Sequence, residues 1–319
     1  MPHLIQCDAL SKEDVANILH NALAFKRAKN ANEAFLPLLR GKNIIFTFFE
    51  NSTRTLSSFE IAAHNLGANV IKLDVSRSST NKGESLKDTI LNLNAMRPDA
   101  LVIRHNSSGS CNFLQKHVDF ALINAGDGAN AHPTQALLDL ATIISHVNPA
   151  ISDLDDIKDA LKALEGKSVA IVGDIRNSRV ANSNIFLLQK FGVKIRLIAP
   201  GQFLPDLIEE RGLSFSNHLD LEGIDIVISL RAQVERHSSQ TYGSLRDYAK
   251  DFCITREVIK DRDILLLHPG PVNQDIDISQ DLANDPRYGI FKQVENGVFT
   301  RMAVFLHCLE ISDAQIGSR

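Results

Sequence analysis

Short apolar runs alternate along the chain with longer stretches in which apolar residues recur every three or four positions. The first pattern is typical of strands buried on both faces, and the second is typical of amphipathic helices. One series of runs predicts a first parallel sheet, at residues 43–49, 70–73, 100–103 and a run that ends near residue 123. A second series predicts another sheet, at residues 168–173, 194–198, 225–230 and 264–267. The pattern therefore indicates an α/β protein of two domains, each a parallel sheet flanked by helices.

Helix boundaries are marked at several points along the chain. Ser11 begins a capping-box pattern at the start of a first helix. Pro133 suits the first position of another helix, and a third helix should open near Ser178. The segment 147–156 breaks the alternation and indicates a boundary between domains. An apolar helix is predicted at about residues 297–309.

Composition excludes several classes of protein. At 319 residues the chain is long enough for two domains, and 44% hydrophobic residues allow a sizeable core. Its 34 basic and 38 acidic side chains leave a net charge of −4, so no general basic surface argues for nucleic acid or an anionic membrane. The four cysteines are scattered without a CxxC pair, and the first 14 residues lack the features of a signal peptide. No apolar run approaches the ~20 residues that span a bilayer. We therefore expect a soluble cytoplasmic protein with reduced thiols.

The turn after the run at residues 43–49 is the first candidate for an anion site. It contains three hydroxyls and one guanidinium in four residues, Ser52, Thr53, Arg54 and Thr55. Free backbone N–H groups and the positive end of the helix dipole point outward at such a turn, which suits a phosphate. In a simpler interpretation Ser52 only caps the helix, but a cap does not need the arginine and the other hydroxyls.

Cationic and imidazole side chains follow the ends of several predicted strands or strand–helix turns. They are Arg54, Arg104, His132, Arg179 and Arg231. Ligands bind at the carboxyl edge of an open α/β sheet, so these side chains predict a cleft between the two domains. A planar guanidinium pairs well with phosphate and carboxylate groups, so we expect a ligand with a phosphate and one or more carboxylates.

Seven segments carry a family resemblance: FFENSTRT, the NKGES loop, VIRH, NAGDGANAHPTQ, VGDIRNSRVANS, LRAQVER and LLHPGPVN. In order and spacing they closely resemble the aspartate-specific catalytic chains of the aspartate/ornithine carbamoyltransferase superfamily, over nearly the whole chain. The resemblance implies transfer of the carbamoyl group of carbamoyl phosphate to L-aspartate in pyrimidine synthesis. It also implies a homotrimer of two-domain α/β chains, with active sites shared between neighbouring subunits. The expected domains are a carbamoyl phosphate-binding domain at residues 1–134, completed by a C-terminal helix at about residues 292–319, and an aspartate-binding domain at residues 135–291.

The resemblance assigns a carbamoyl phosphate site to residues from both halves of the chain: Ser52, Thr53, Arg54, Thr55, Arg104, His132, Gln135, Gly270 and Pro271. The STRT turn would hold the phosphate, and Gln135 and the backbone carbonyls of the HPGP turn would orient the carbamoyl NH2 group. The residues expected to act in catalysis, the last three by polarising the carbonyl oxygen, are Arg54, Thr55, Arg104 and His132.

The resemblance also assigns the residues that hold L-aspartate. Arg179 would pair with the α-carboxylate, and Arg231 with Gln233 would hold the β-carboxylate. Ser78 and Lys82 would reach in from a neighbouring subunit, and Lys82 would also contact aspartate. A regulatory chain or a dihydroorotase partner, and assembly beyond the trimer, are left open by the sequence.

The expected chemistry needs neither a nucleophilic serine or cysteine nor a metal or other cofactor. Attack of an amine on carbamoyl phosphate places negative charge on the carbonyl oxygen, and fixed donors aimed at that oxygen are the largest catalytic contribution. Neutral His132 can donate one such hydrogen bond, and the leaving phosphate can take the proton from the amine. Holding the two substrates side by side lowers the barrier further.

Three alternatives stay open at this point. An ornithine carbamoyltransferase, or one with another amine acceptor, shares the STRT turn but typically has HPCQ, DxxNSM and HCLP where this chain has HPTQ, LRAQVER and HPGP. Arg179 and Arg231 suit a dicarboxylate acceptor better than a cationic one. A nucleotide-binding dehydrogenase is disfavoured because the VGD turn lacks G-x-G-x-x-G. An inactive scaffold paralogue would be expected to lose some of the residues that this chain retains, Arg54, Lys82, Arg104 and His132.

The chain departs from the family pattern at three positions. Leu56 stands where many members have a second arginine, which bears on the rigidity of the turn. Asn182 stands where some members have histidine, and Gly270 replaces a bulkier residue. The expected contact of Gly270 is through its backbone, which glycine retains.

Overall fold

A computed structural model of the chain describes residues 2–73, 85–232 and 244–311. The first of two parallel sheets has the order β2-β1-β3-β4, with β1 (Asn43–Phe48), β2 (Asn69–Leu73), β3 (Ala100–His105) and β4 (Ala121–Asp127). The second has the order β7-β6-β5-β8-β9, with β5 (Ser168–Val172), β6 (Lys194–Ile198), β7 (Ser214–Ser216), β8 (Ile226–Ser229) and β9 (Leu265–Leu267). The predicted α/β fold with two parallel sheets is confirmed.

Helices flank both sheets. Their bounds are α1 (Lys12–Asn30), α2 (Thr53–Asn65), α3 (Leu86–Ala95), α4 (Ser110–Leu114), α5 (Pro133–Val147), α6 (Leu154–Lys162), α7 (Arg179–Gln189), α8 (Leu245–Phe252), α9 (Arg256–Ile259) and α10 (Ile290–Cys308). The predicted capping box of α1 is present, since Ser11 Oγ accepts from Asp14 N at 3.0 Å and Ser11 N donates to Asp14 Oδ2 at 2.9 Å. Pro133 opens α5 and Ser178 caps α7, as the sequence predicts.

Each sheet has a point where the strand order reverses. Strand β1 pairs with β2 on one side and β3 on the other, and β5 pairs with β6 and β8. The helices that follow β1 and its neighbours therefore diverge, and a crevice opens beyond the carboxyl ends of these strands. The STRT turn follows β1, and Arg231 follows β8, so the fold brings both to such a crevice.

Four elements differ from the prediction for identifiable reasons. Strand β3 continues through Arg104, because its backbone still pairs with β1, and β4 continues through the glycine-rich NAGD segment. Helix α10 begins at Ile290 and not near residue 297, because the polar residues of its first turns are buried and hide the apolar period. Helix α6 occupies part of the predicted break at residues 147–156 and packs against α1 and α5.

The division into domains stays a prediction. The expected boundary between residues 134 and 135 falls inside the first turn of α5, which is one continuous helix. Helix α10 follows the second sheet in sequence but packs against α1, α2 and α5. A C-terminal helix that completes the first domain would pack in this way.

Candidate active site

A cleft of about 440 Å³ opens where turns from both sheets meet. It is lined by all eleven of the predicted site residues that the structure describes: Ser52, Thr53, Arg54, Thr55, Arg104, His132, Gln135, Arg179, Arg231, Gly270 and Pro271. Ser78, Lys82 and Gln233 lie outside the described residues. With Arg301 from α10, five arginines line the cleft, and such a concentration of guanidinium groups suits a ligand with several negative charges.

The STRT turn offers its donors to the cleft. Ser52 occupies the N-cap position of α2 in extended backbone, but within the described residues its hydroxyl makes no capping hydrogen bond. The first turn of α2 contains no acidic residue, so the positive end of the helix dipole is not neutralised from within the helix. Leu56, where many family members have arginine, is half-buried and packs against the hydrophobic core.

Glu50 is a functional candidate that the sequence did not reveal. It follows β1 and is the single carboxylate that lines the cleft in the described part of the chain. Arg104 Nη2 donates to Glu50 Oε1 at 2.6 Å, and Arg179 Nη1 donates to Glu50 Oε2 at 3.0 Å. Burial alone would raise the pKa of Glu50, but the hydrogen bonds and charges of Arg179 and Arg104 outweigh it and hold the pKa below its ordinary value. The signal available in the sequence was a single acidic residue in a segment rich in hydrogen-bond donors for an anion.

His132 is buried at the N-cap of α5, and its backbone N–H donates to Ser183 Oγ at 2.8 Å. Its Nδ1 atom is buried without a hydrogen-bond partner among the described residues. Burial, followed by the charges of Arg104, Arg179 and Arg301, lowers the pKa of His132 well below its ordinary value. The imidazole is therefore neutral near pH 7, and one ring N–H can donate without the ring acting as a base.

Two glycines allow arginines to approach the backbone closely. At Gly270, with φ +71°, a Cβ atom would lie 3.0 Å from Arg54 Nε. At Gly126, with φ +119°, a Cβ atom would lie 3.2 Å from Arg179 Nε. Both backbone conformations are rare for other residues, so glycine suits these positions on two counts.

A buried pair links Arg231 and the HPGP turn. His268 Nε2 lies 3.2 Å from Asp277 Oδ2, and Asp277 Oδ1 accepts from Ala232 N at 3.1 Å. His268 Nδ1 accepts from Gly270 N at 2.8 Å. The residue after Arg231 and the backbone of the turn are therefore held by the same two side chains.

Asn182, where some family members have histidine, has a structural contact. Its Nδ2 donates to Ala129 O at 2.9 Å and so joins α7 to the loop after β4. In the described ranges no group of three or more histidine, cysteine or acidic side chains could hold a metal ion. None of the helices in those ranges is long and apolar enough to cross a membrane.

The two parallel sheets and the arginine-lined cleft between them define a class of proteins. Residues 2–145 match the model of the carbamoyl-P binding domain of aspartate/ornithine carbamoyltransferases, and residues 165–308 match the model of their Asp/Orn binding domain. The chain therefore belongs to the aspartate/ornithine carbamoyltransferase family, and the resemblance seen in its motifs is confirmed.

Within the family, the similar relatives are aspartate carbamoyltransferase catalytic subunits. That of Nitratiruptor sp. is 52% identical over 302 residues, with 95% of this chain and 96% of the relative covered. That of Helicobacter hepaticus is 48% identical over 307 residues, with 96% and 98% covered.

Solved structures of similar fold belong to the same branch. The catalytic subunit of M. jannaschii aspartate transcarbamoylase has a TM-score of 0.82 and 31% identity, with 100% of both chains covered. Aspartate transcarbamoylase from Trypanosoma cruzi in complex with carbamoyl aspartate and phosphate has a TM-score of 0.82 and 31% identity, with 95% of this chain and 94% of that chain covered.

Proposed function

We propose that this chain transfers the carbamoyl group of carbamoyl phosphate to the amino group of L-aspartate, giving N-carbamoyl-L-aspartate and phosphate. The observation that carries the proposal is one cleft lined, among the described residues, by five arginines and a neutral, buried histidine. Its relatives are aspartate carbamoyltransferase catalytic subunits, and the similar Trypanosoma cruzi protein binds carbamoyl aspartate and phosphate. The reaction would serve pyrimidine synthesis in the cytoplasm.

The carbamoyl phosphate subsite uses the STRT turn. Backbone N–H groups at the start of α2, the hydroxyl of Ser52 and the guanidinium of Arg54 would bind the phosphate oxygens. Thr55, Arg104 and His132 would donate to the carbonyl oxygen. Because Thr55, Arg104 and His132 are all buried, water competes little for these hydrogen bonds.

The reaction follows from these positions. The aspartate amine attacks the carbonyl carbon, and negative charge moves to the carbonyl oxygen, where the donors stabilise it. The C–O bond to phosphate then breaks, and the leaving phosphate takes the proton from the amine. His132 donates a hydrogen bond to the carbonyl oxygen in each step and does not accept the proton of the amine, which agrees with its lowered pKa.

Arg179 and Arg231, with Gln233, would hold the two carboxylates of aspartate. Arg179 is paired with Glu50, so a substrate carboxylate would compete with Glu50 for that guanidinium. Among the described residues, five arginines and one carboxylate line the cleft, and this excess of positive charge disfavours a cationic acceptor such as ornithine.

The active unit would be a homotrimer, with Ser78 and Lys82 of one subunit completing the site of the next. Large apolar side chains are exposed on three elements near the start of the chain, Ile61 of α2, Ile71 of β2 and Leu91 of α3. Strand β2 lies at the edge of its sheet, and an edge strand with exposed apolar residues is usually covered by another surface. The edge position of β2 and its exposed Ile71 support a subunit contact along this strand.

An acceptor assay tests the proposed function. Purified protein is supplied with carbamoyl phosphate and either L-aspartate or L-ornithine, and the carbamoylated amino acid is quantified by mass spectrometry. We expect carbamoyl-aspartate and only background carbamoyl-ornithine. Turnover with ornithine would establish the alternative acceptor, and no turnover with either, in a protein that still binds carbamoyl phosphate, would indicate an inactive paralogue.

A further inference from the structure

Asp139 is a buried carboxylate that the reaction steps above do not use. It lies on α5 one turn after Gln135, and none of its surface is exposed. Its Oδ1 accepts from Gln135 Nε2 at 2.8 Å and from Gln293 Nε2 at 2.7 Å. Its Oδ2 accepts from Asn184 Nδ2 at 2.8 Å. Three amide groups from α5, α10 and α7 thus converge on one carboxylate, which is the compensation that a buried charge needs.

The carboxylate determines which end of the Gln135 amide faces the cleft. An ionised carboxylate only accepts hydrogen bonds, so the NH2 end of Gln135 must point to Asp139. The oxygen of a planar amide points away from its nitrogen, and Gln135 lines the cleft. Gln135 therefore presents an acceptor to a ligand, whereas an amide turned around would present donors.

The same oxygen of Asp139 orients a second amide. Gln293 donates to Asp139 through Nε2, and its Oε1 accepts from the backbone N–H of His268 at 2.9 Å. His268 begins the HPGP turn, whose backbone carbonyls also line the cleft at Gly270 and Pro271. If Gln293 were turned around, its NH2 group would face the His268 N–H and the hydrogen bond to the turn would be lost.

We propose that Asp139 is a positioning residue that makes the cleft selective for an acyl phosphate bearing an NH2 group. The proposal rests on the proposed function, in which Gln135 and the HPGP turn accept hydrogen bonds from the carbamoyl NH2 group. An acyl phosphate with a methyl group in its place, such as acetyl phosphate, has nothing to donate to these acceptors.

The electrostatics around Asp139 agree with this role. Burial raises the pKa of Asp139 to about 6, against the lowering effect of its three amide donors and of Arg301. The group is therefore ionised at neutral pH, where both of its oxygens can only accept. Arg301, also buried, supplies a nearby opposite charge from α10.

The test compares three ligands in Asp139→Asn. Asparagine has the same shape but only one acceptor oxygen, so the three amides can no longer all donate to it and nothing fixes the NH2 end of Gln135 toward it. We expect the KM for carbamoyl phosphate to rise about tenfold, the loss of one or two hydrogen bonds. The inhibition constants of acetyl phosphate and inorganic phosphate should change by less than about twofold, because neither ligand donates an N–H.

Thr142→Val is the matched control. Thr142 lies one turn further along α5, and its Oγ1 accepts from Asn296 Nδ2 of α10 at 2.9 Å. The substitution removes a buried hydrogen bond between α5 and α10 and leaves the contacts of Gln135 intact. Thermal stability should therefore fall, while the constants of all three ligands stay the same. Equal weakening of all three ligands in Asp139→Asn would mean a merely structural role and would overturn the proposal.

Two further measurements test the proposal even if Asp139→Asn does not fold, and distinguish its failure from failure of the proposed function. In the wild-type protein, the Gln135 side-chain NH2 signals, assigned by their loss in Gln135→Leu, should be protected from solvent exchange. Free exchange would overturn the proposal even if Asp139→Asn does not fold. In the Asp139→Asn/Gln135→Leu double variant, the KM increase should be smaller than the product of the single effects. Absence of carbamoyl-aspartate formation by the wild type would instead remove the proposed function.

Discussion

Glu50 joins two arginines that come from different sheets. Arg104 belongs to β3 of the first sheet and Arg179 opens α7 after β5 of the second, and both donate to the Glu50 carboxylate. This carboxylate neutralises guanidinium groups that would otherwise repel each other. It therefore stabilises the approach of Arg104 to Arg179.

Glu50→Gln should show this contribution in the pH dependence of stability. The pKa of Glu50 is lowered in the folded protein, so its stabilisation is present above its ordinary pKa of 4.5 and is lost as the pH falls through the folded value. The difference in melting temperature between wild type and variant should be largest near neutral pH and should shrink below about pH 4.5. A difference that does not depend on pH would show that the ion pairs contribute nothing. Thermal unfolding followed across this range provides the measurement.

His132 should remain neutral through the physiological range. Its pKa lies well below the ordinary value, so its ring signals in a histidine NMR titration should not shift as the pH passes through the ordinary value of 6.5. His132→Ala should lower kcat about a hundredfold, the usual cost of one donor to a developing oxyanion. A titration of His132 near its ordinary pKa would contradict its assignment as a neutral donor.

Arg231→Ala should separate the two substrates. Removing one guanidinium from the aspartate subsite should raise the KM for aspartate about tenfold or more, because a charge-assisted hydrogen bond is lost. Binding of carbamoyl phosphate, measured by calorimetry, should be unchanged. Arg196→Ala, on β6 and outside the cleft, is the control. Equal loss for both substrates would mean that Arg231 has been assigned to the wrong ligand.

The residues with donor groups could be predicted from the sequence, and the roles of the acids could not. Arg54, Arg104 and Arg231 stand at the ends of apolar runs, where topology alone predicts a ligand. Asp139 has no such position, and Glu50 follows an apolar run, but the role of each carboxylate depends on guanidinium and amide groups that meet it only in the folded chain. Ser52 occupies its predicted cap position, but only the structure reveals that its hydroxyl does not cap.

At the scale of elements, α5 connects the parts of the site. Its N-cap is His132, its first turn contributes Gln135 and its second contributes Asp139. Residues 133–144 of this helix are all buried, and it packs against α1, α6, α7 and α10. A helix enclosed by four others has little freedom to shift, so the groups that it positions are held firmly.

The close approach of β4 to Arg179 gives a prediction at this scale. In Gly126→Ala the new Cβ would lie 3.2 Å from Arg179 Nε, in a backbone conformation that is strained for alanine. Displacement of the guanidinium should raise the KM for aspartate about tenfold and leave that for carbamoyl phosphate nearly unchanged. Gly201→Ala is the control, since nothing lies within 4 Å of a Cβ at that position. Unchanged aspartate kinetics would show that Arg179 can move aside without loss.

Buried parallel strands were predictable because continuous apolar runs identify them within one or two residues, as at β5, β6 and β8. Helix α8 and the start of α10 were not predicted. The first turns of α10 bury Gln293 and Asn296, whose partners on α5 come from 154 residues away in sequence. No local pattern can indicate that such polar residues are inside the protein.

Across the whole molecule, the proposed sharing of active sites between subunits gives a prediction about mixed assemblies. Lys82→Ala and Arg54→Ala subunits should each be inactive alone. If Lys82 acts across a subunit interface, reassembled mixtures should contain some sites with both residues intact and regain activity. Mixtures as inactive as either parent would argue against sharing. Each parent dissociated and reassembled alone is the control, and light scattering should give the mass of a trimer.

Helix α10 follows the last strand of the second sheet, yet it packs against α1, α2 and α5 beside the first. The four strands of the first sheet are therefore synthesised long before the helix that completes their cover. During synthesis on the ribosome, the second sheet can form completely while the first sheet still exposes the apolar surface that α10 later covers. The half of the protein that is synthesised first is thus the last to complete its fold. Until then, its exposed apolar surface needs protection from neighbouring nascent chains.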